Sequence, residues 1–351
     1  MRTFDYSFLA HELLPPTLIN MGTALASLRT AAEQRKELHP GIFSGLEYVA
    51  RIQSVKTSNA IEGIITSDER IEAIVNKNSA PLNHDEQEIA GYRDALDFIH
   101  NNYSEIDISI ANLLSLHQMM LAYTPLGGGS WKSSDNYIIE VNSQGMRSIR
   151  FTPTPANETP AAIEQLTLAY LDARDNANIN PLLLIPCFIL DFLCIHPFSD
   201  GNGRMSRLLS LLSLYHFGYD IGRYISFEEQ INNDKIRYYE SLRQSSANWH
   251  ENANSYLPFI EQFALTLLRC YQELDKRFAI VSDKRLSKQN RIEATVLNSL
   301  LPISKREIAA ILPDVSPTTI EKVLGEMVKA QQIQKIGAGR STRYKRSKIS
   351  V

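Results

Sequence analysis

Apolar residues recur three and four positions apart along most of the chain, so the pattern predicts a mainly α protein. The spacing predicts helices over Glu47–Thr57, Ser67–Lys77 and Glu86–Asn101, the last with Ile89, Ala90, Ala95, Leu96 and Ile99 on one side. Ile106–Tyr123 follows, with Leu113, Leu114, Leu116, Met119, Met120 and Leu121 as its buried face, until Pro125 and Gly127–Gly129 stop it. The period then changes. Tyr137–Val141 and Arg147–Thr152 are extended around turn chemistry at Asn142–Gly145, which predicts a hairpin over 137–152. The prolines of Phe151–Pro160 resist both helix and sheet. Helical spacing resumes over Ala161–Arg174, Pro181–Ile195, Arg204–Phe217, Phe227–Ser245 and Ala253–Val281, and the polar Ser282–Lys288 reads as a linker.

Beyond the linker the pattern becomes shorter. Arg291–Leu300 is helical, and Ser304 with Glu307 three residues on has capping-box spacing ahead of Lys305–Leu312. Pro313–Ser316 turns the chain into a helix over Pro317–Ala330, with Pro at the tolerated first position. Ile333–Ile336, Gly337–Gly339 and Ser341–Lys345 then read as a hairpin with one basic strand. Helix, turn, helix and basic wing predict a winged helix-turn-helix over 284–351. The expected division is therefore a helical region at 1–100, a core at 101–283 and this terminal unit.

Composition adds an asymmetry. The 351 residues carry a net charge of −3, are 44% hydrophobic and 21% charged, as a globular protein is and a disordered one is not. From Lys284 onward 14 Lys and Arg face 5 Asp and Glu, a net +9, whereas the preceding residues carry 22 against 34, a net −12. A basic tail on an acidic body raises nucleic acid as a partner, with Arg340, Arg343, Lys345 and Arg346 as the contacting cations. Cys187, Cys194 and Cys270 make no disulfide framework or zinc pattern. Met1–Pro16 lacks the layout of a signal peptide, and the apolar run Leu182–Ile195 falls short of the ~20 residues that span a bilayer. A cytoplasmic, non-membrane protein is expected.

The chemistry is concentrated in His196–Arg207, His-Pro-Phe-Ser-Asp-Gly-Asn-Gly-Arg-Met-Ser-Arg. An apolar helix leads in, a second starts near Arg204, and a Gly-Asn-Gly turn between them can aim successive N–H groups at an anion. Arg204 and Arg207, three apart, point two guanidinium forks to one side, which suits a polyphosphate. Asp200 supplies a hard oxygen for Mg²⁺ between phosphates, and His196 titrates in the right range for a general base.

This segment resembles the signature of the Fic family of protein adenylyltransferases, His-x-Phe-x-(Asp/Glu)-Gly-Asn-Gly-Arg-x-x-Arg, at every specified position. The resemblance implies that His196 takes the proton of a target hydroxyl, Phe198 anchors the loop and Asp200 ligates Mg²⁺ on the α- and β-phosphates of ATP. It implies further that Gly201, Asn202 (through its side chain) and Gly203 cradle the phosphates, Arg204 holds the β-phosphate and Arg207 the γ-phosphate. AMP would pass to a Tyr, Thr or Ser hydroxyl of a protein, the enzyme itself included, and pyrophosphate would leave.

Ser58-Asn59-Ala60-Ile61-Glu62-Gly63 is similar to the family's inhibitory pattern (Ser/Thr)-x-x-x-Glu-(Gly/Asn), in which the Glu pairs with the second Arg, here Arg207. An Arg tied to Glu62 cannot hold the γ-phosphate. The hairpin at 137–152 matches the family's flap, which aligns a target by strand-like pairing. Tyr239, in Tyr238-Tyr239, resembles an aromatic residue near the adenine, and the family often dimerises. Two other readings stay open: a DNA-binding regulator with a nucleotide-sensing body, and a Fic enzyme that transfers phosphate or removes AMP. His117 and the other histidines outside the motif show no ligand spacing and read as surface or packing residues, and Gly127–Gly129 as a loop.

Overall fold

The stretch Pro181–Ile195 is apolar nearly all round, and such a helix must be enclosed on every side. The computed structural model, which describes residues 2–11, 13–141, 145–282 (backbone alone at 281 and 282), 286–299, 302–339 and 342–347, encloses it. Among the described residues the helices are α1 (Pro16–Leu38), α2 (Pro40–Ile61), α3 (Asp68–Val75), α4 (His84–Asn102), α5 (Ile110–Met120), α6 (Thr159–Arg174) and α7 (Pro181–Ile195). They continue with α8 (Asn202–His216), α9 (Phe227–Asn233), α10 (Lys235–Ser245), α11 (Leu257–Ser282), α12 (Lys288–Leu297), α13 (Lys305–Ile311) and α14 (Pro317–Lys329). The strands are β1 (Ile138–Val141), β2 (Arg147–Phe151), β3 (Ile303–Ser304), β4 (Ile333–Ile336) and β5 (Arg343–Arg346). The chain is thus mainly α.

Helix starts follow local chemistry. Ser67, Asn83, Ser109, Asn180, Ser226, Ser287, Ser304 and Ser316 each accept a first-turn N–H on the side chain, and Ser304 with Glu307 completes the expected capping box. Three elements differ from the sequence reading. Helix α1 had no predicted counterpart; only Leu18 and Leu25 are fully buried along it, too few to set a period. The helix expected over Phe227–Ser245 divides at Asp234, whose carboxylate accepts from Arg269 at 2.6 Å. Helix α11 runs on through Ser282, where a linker was expected to begin, and 283–285 lie outside the described residues.

Strands β1 and β2 form the expected antiparallel hairpin, pairing Ile139 with Ile149 and Val141 with Arg147; its turn at 142–144 lies outside the described residues. The C-terminal residues form α12, α13, α14 and an antiparallel sheet in the order β3–β5–β4. This unit is docked on the body. Helix α13 packs on α2 so closely that a Cβ at Gly45 would collide with the Ala310 carbonyl. Arg343, expected among exposed nucleic-acid contacts, is instead buried and ion-paired to Glu307 (2.8 Å) and Asp68 (3.1 Å). Lys345 and Arg346 are exposed, and Arg340 lies outside the described residues.

One buried carboxylate ties the start of the chain to the core. Asp191 of α7, fully buried, accepts from Tyr6 (2.8 Å), Tyr256 (2.8 Å) and Trp249 (2.6 Å) and pairs with Arg2 at 3.3 Å. Burial pushes its pKa up, against the pull of Arg2 and the three donors. Asp191→Ala is expected to lower unfolding stability by about 3–5 kcal/mol in urea, because it leaves the Arg2 charge buried without an anion.

Candidate active site

The turn between α7 and α8 is made by two left-handed residues. His196 ends α7 with φ 52°, and Gly201 starts α8 with φ 78°. A histidine in that region is strained, and its neighbours hold it there. Its N–H donates to Phe192 at 2.9 Å, and Asn136 reaches the His196 and Phe198 carbonyls at 3.3 and 3.1 Å. Buried Lys132 donates to Ile195 O at 3.1 Å and Asn136 Oδ1 at 2.8 Å, while its own N–H donates to Pro197 O at 2.9 Å. Burial pulls the Lys132 pKa down to about 8.

The imidazole of His196 places Nδ1 3.3 Å from the Leu193 carbonyl, which assigns the proton to Nδ1 and leaves Nε2 as an acceptor. Burial, with Lys132 and Arg150 nearby, lowers its pKa to about 4 despite the Leu193 contact and Glu62. The ring is therefore neutral at pH 7.

Phe198 is wholly buried, stacked on His117 with centroids 3.7 Å apart and flanked by Trp131 at 5.1 Å. The Asn202 side-chain amide closes the loop, accepting from Phe198 N at 2.9 Å and donating to Phe198 O at 2.8 Å. His117, read from the sequence as a packing residue, is the floor of the loop. It accepts Gly129 N–H on Nδ1 at 3.0 Å and donates from Nε2 to the Asp200 carbonyl at 3.1 Å. Burial lowers its pKa to about 4, which keeps this one-donor, one-acceptor form at neutral pH. Nothing local in the sequence distinguishes it; the signal is its place one loop ahead of Gly127–Gly129, whose Gly129 it binds.

Both arginines are out of water. Arg204 is 1% exposed, pairs with Glu88 of α4 at 2.5 Å and lies 3.3 Å from Asp200, and its Nε and Nη1 have no hydrogen-bond partner. Unmatched buried donors on a cation fit an anionic ligand. Arg207, 2% exposed, donates to Ser58 Oγ (2.8 Å), Ser58 O (2.9 Å) and Glu62 Oε1 (2.8 Å). Glu62 caps the end of α2, Gly63 follows at φ 84°, and the carboxylate lies where a side chain at Gly203 would be. Ser58, Glu62, Gly203 and Arg207 thus meet at one point. Tyr239 is 39% exposed, with the Lys235 ammonium 5.9 Å from its ring.

Asp200 is the one motif carboxylate, exposed, and no cluster of three or more His, Cys, Asp or Glu fit for a metal occurs among the described residues. That donor set fits Mg²⁺, which keeps waters and takes one or two carboxylates together with substrate phosphates.

The profile of the Fic/DOC family matches residues 107–214. A Fido domain-containing protein of Dictyostelium discoideum is 35% identical over 96 residues, which cover 25% of this chain and 67% of the relative. A protein named protein adenylyltransferase Fic from Nematostella vectensis is 27% identical over 222 residues, 60% of this chain and 46% of that one; the chain therefore spans under half that relative's length. In fold, a Fic family protein from Desulfovibrio desulfuricans G20 superposes with TM-score 0.59 at 22% identity, over 96% of this chain and 97% of that one. Fic-1 from C. elegans gives 0.51 at 20% identity, over 72% and 75%.

The floor beneath the loop makes a separable prediction. His117→Phe keeps the stack on Phe198 but strands the Asp200 carbonyl and Gly129 N–H. Urea unfolding is expected to show a loss of about 1–3 kcal/mol for the unmade hydrogen bonds; no loss would mean that these two bonds contribute nothing to the loop.

Proposed function

Because the chain belongs to the Fic/DOC family, we propose that it is a protein adenylyltransferase, moving AMP from ATP to a hydroxyl of a target protein. The observation that carries this reading is the meeting, on one loop and the first turns of α8, of a neutral His196 with Nε2 as an acceptor, the Asp200 carboxylate and the buried donors of Arg204 and Arg207. In the reaction His196 Nε2 takes the proton of the target hydroxyl. The hydroxyl oxygen forms the bond to the α-phosphorus, the α–β bridging bond breaks, and pyrophosphate departs with that electron pair. Arg204 balances the β-phosphate and Arg207 the γ-phosphate, while the N–H groups at the start of α8 face the chain of phosphates. Mg²⁺, held by Asp200, would supply charge neutralisation on phosphate oxygens. Tyr239 stands beside the nucleoside end.

The target is a protein segment in extended form. The hairpin of β1 and β2 is a two-stranded sheet with open edges, and Ile139 and Ile149, paired across it, are both exposed. Such an edge accepts a third strand, with apolar side chains alongside.

In the resting state the enzyme is restrained by its own Glu62. Arg207 cannot serve Glu62 and a γ-phosphate together, so ATP without that contact sits in an unproductive pose. Glu62→Gly is expected to raise labelling of the enzyme itself or a target from α-³²P-ATP with Mg²⁺ by about 10- to 150-fold, the range for a hydrogen bond to a charged group. Unchanged labelling in folded protein rejects the restraint. Label arriving from γ-³²P-ATP instead would make the enzyme a phosphotransferase. In that variant, kcat/KM should hold down to about pH 4 or below before His196 gains a proton, because the Glu62 charge that raises its pKa is gone, whereas an acid limb near pH 6.5 would contradict the buried, neutral base. His196→Ala should abolish transfer and retain ATP binding by calorimetry.

A further inference from the structure

We infer that the C-terminal unit, residues 286–347, is a clamp on the inhibitory helix: its docking on α2 and α3 holds Glu62 against Arg207. The inference rests on the restraint proposed above and adds what supports it.

Helix α2 carries Ser58 and Glu62 at one end and Gly45 toward the other. Glu62 lies 17 positions after Gly45, about 25 Å of helix at 1.5 Å per residue. Gly45 lies flush against the backbone of α13 at Ala310, and no larger side chain fits there with the unit docked. The same helix of the unit also reaches α3, the element that follows the Glu62 turn. Arg306 of α13 pairs with Glu72 of α3 at 3.2 Å and lies 5.2 Å from the Tyr48 ring of α2. Arg343 of β5 binds Asp68 of α3 at 3.1 Å while holding Glu307 of its own unit at 2.8 Å and the Pro302 carbonyl at 3.1 Å. Asp68 is in turn bound by Lys56 of α2 at 2.5 Å.

The turn that presents Glu62 is therefore bracketed. On its N-terminal side α2 is gripped through Gly45 and Tyr48; on its C-terminal side α3 is gripped through Asp68 and Glu72. Asp68 joins the two grips through Lys56. Arg343 is too deeply committed to these carboxylates to serve as an exposed contact for nucleic acid. Its charge faces acidic groups of the body, which is where the opposite signs of body and tail meet. With the unit docked, α2 and α3 cannot separate or tilt to withdraw Glu62; with it undocked, both lose their outer support. The unit thus couples to the site as an effector does, through two arrangements of one helix pair.

The test uses the full chain with Gly45→Ala, which suits an α-helix but collides with Ala310, and with Arg343→Gln, which removes the charge between Asp68 and Glu307. Hydrogen exchange reports docking through the amides of α13, and α-³²P-ATP labelling reports transfer. Both variants are expected to lose protection in α13 and gain labelling by about 5- to 150-fold, the range of allosteric coupling. Combined with Glu62→Gly they should add nothing further. Unchanged protection in both variants overturns the docking role of these residues. Lost protection with unchanged labelling overturns the clamp, and if Glu62→Gly still raises labelling the restraint survives without it. If Glu62→Gly also has no effect, the restraint itself fails. If Gly45→Ala loses its cooperative melt, Arg343→Gln decides the matter alone.

Discussion

Two guanidinium groups with almost no contact with water set the terms for this site. A buried charge is tolerable only beside an opposite one, and removing one partner costs several kcal/mol. Arg204 and Arg207 project from the first turns of α8 into the interior, and each recruits a carboxylate from a different helix: Glu88 from α4 and Glu62 from α2. The placement of α2 and α4 over the loop follows from that requirement as much as from apolar packing. On the proposed function, the anions that pair with these arginines would compete with the phosphates of a nucleotide.

The loop itself is built to need little adjustment. His117 below, Asn202 across and Lys132 with Asn136 at the entrance leave the backbone of 196–202 few alternatives. Asp200 and the His196 imidazole are thus carried on a frame fixed by the surrounding side chains. Preorganised frames of this kind favour charge stabilisation because no dipole has to turn as charge develops.

The sequence disclosed the parts that are local and hid those that are not. His196–Arg207 was legible because residue type and spacing carry its chemistry within one turn, and Glu62 became legible once Arg207 had been found. The hairpin and nearly all of the helices followed from periodicity and caps. His117 was not legible, since its partners lie 12 and 83 residues away and a histidine on a helix has no local mark. Glu88, Lys132 and Asn136 escaped for the same reason. Helix α1 was missed because two buried leucines in 23 residues make no stripe. Arg343 was taken for a surface cation because charge counting cannot see the acidic helix that α3 lays beside it.

The anchoring of Arg2 has a consequence in time. Its partners Asp191, Trp249, Asn254 and Tyr256 are encoded some 190–250 residues later. At the ~5–20 residues per second of synthesis, the last of them emerges about 12–50 s after Arg2. Until then the Asp191 carboxylate lacks two of its aromatic donors, and α7 has no satisfied way to bury it. The polar cluster that buries Asp191 in the helix leading to His196 can therefore be completed only after Tyr256 has been synthesised.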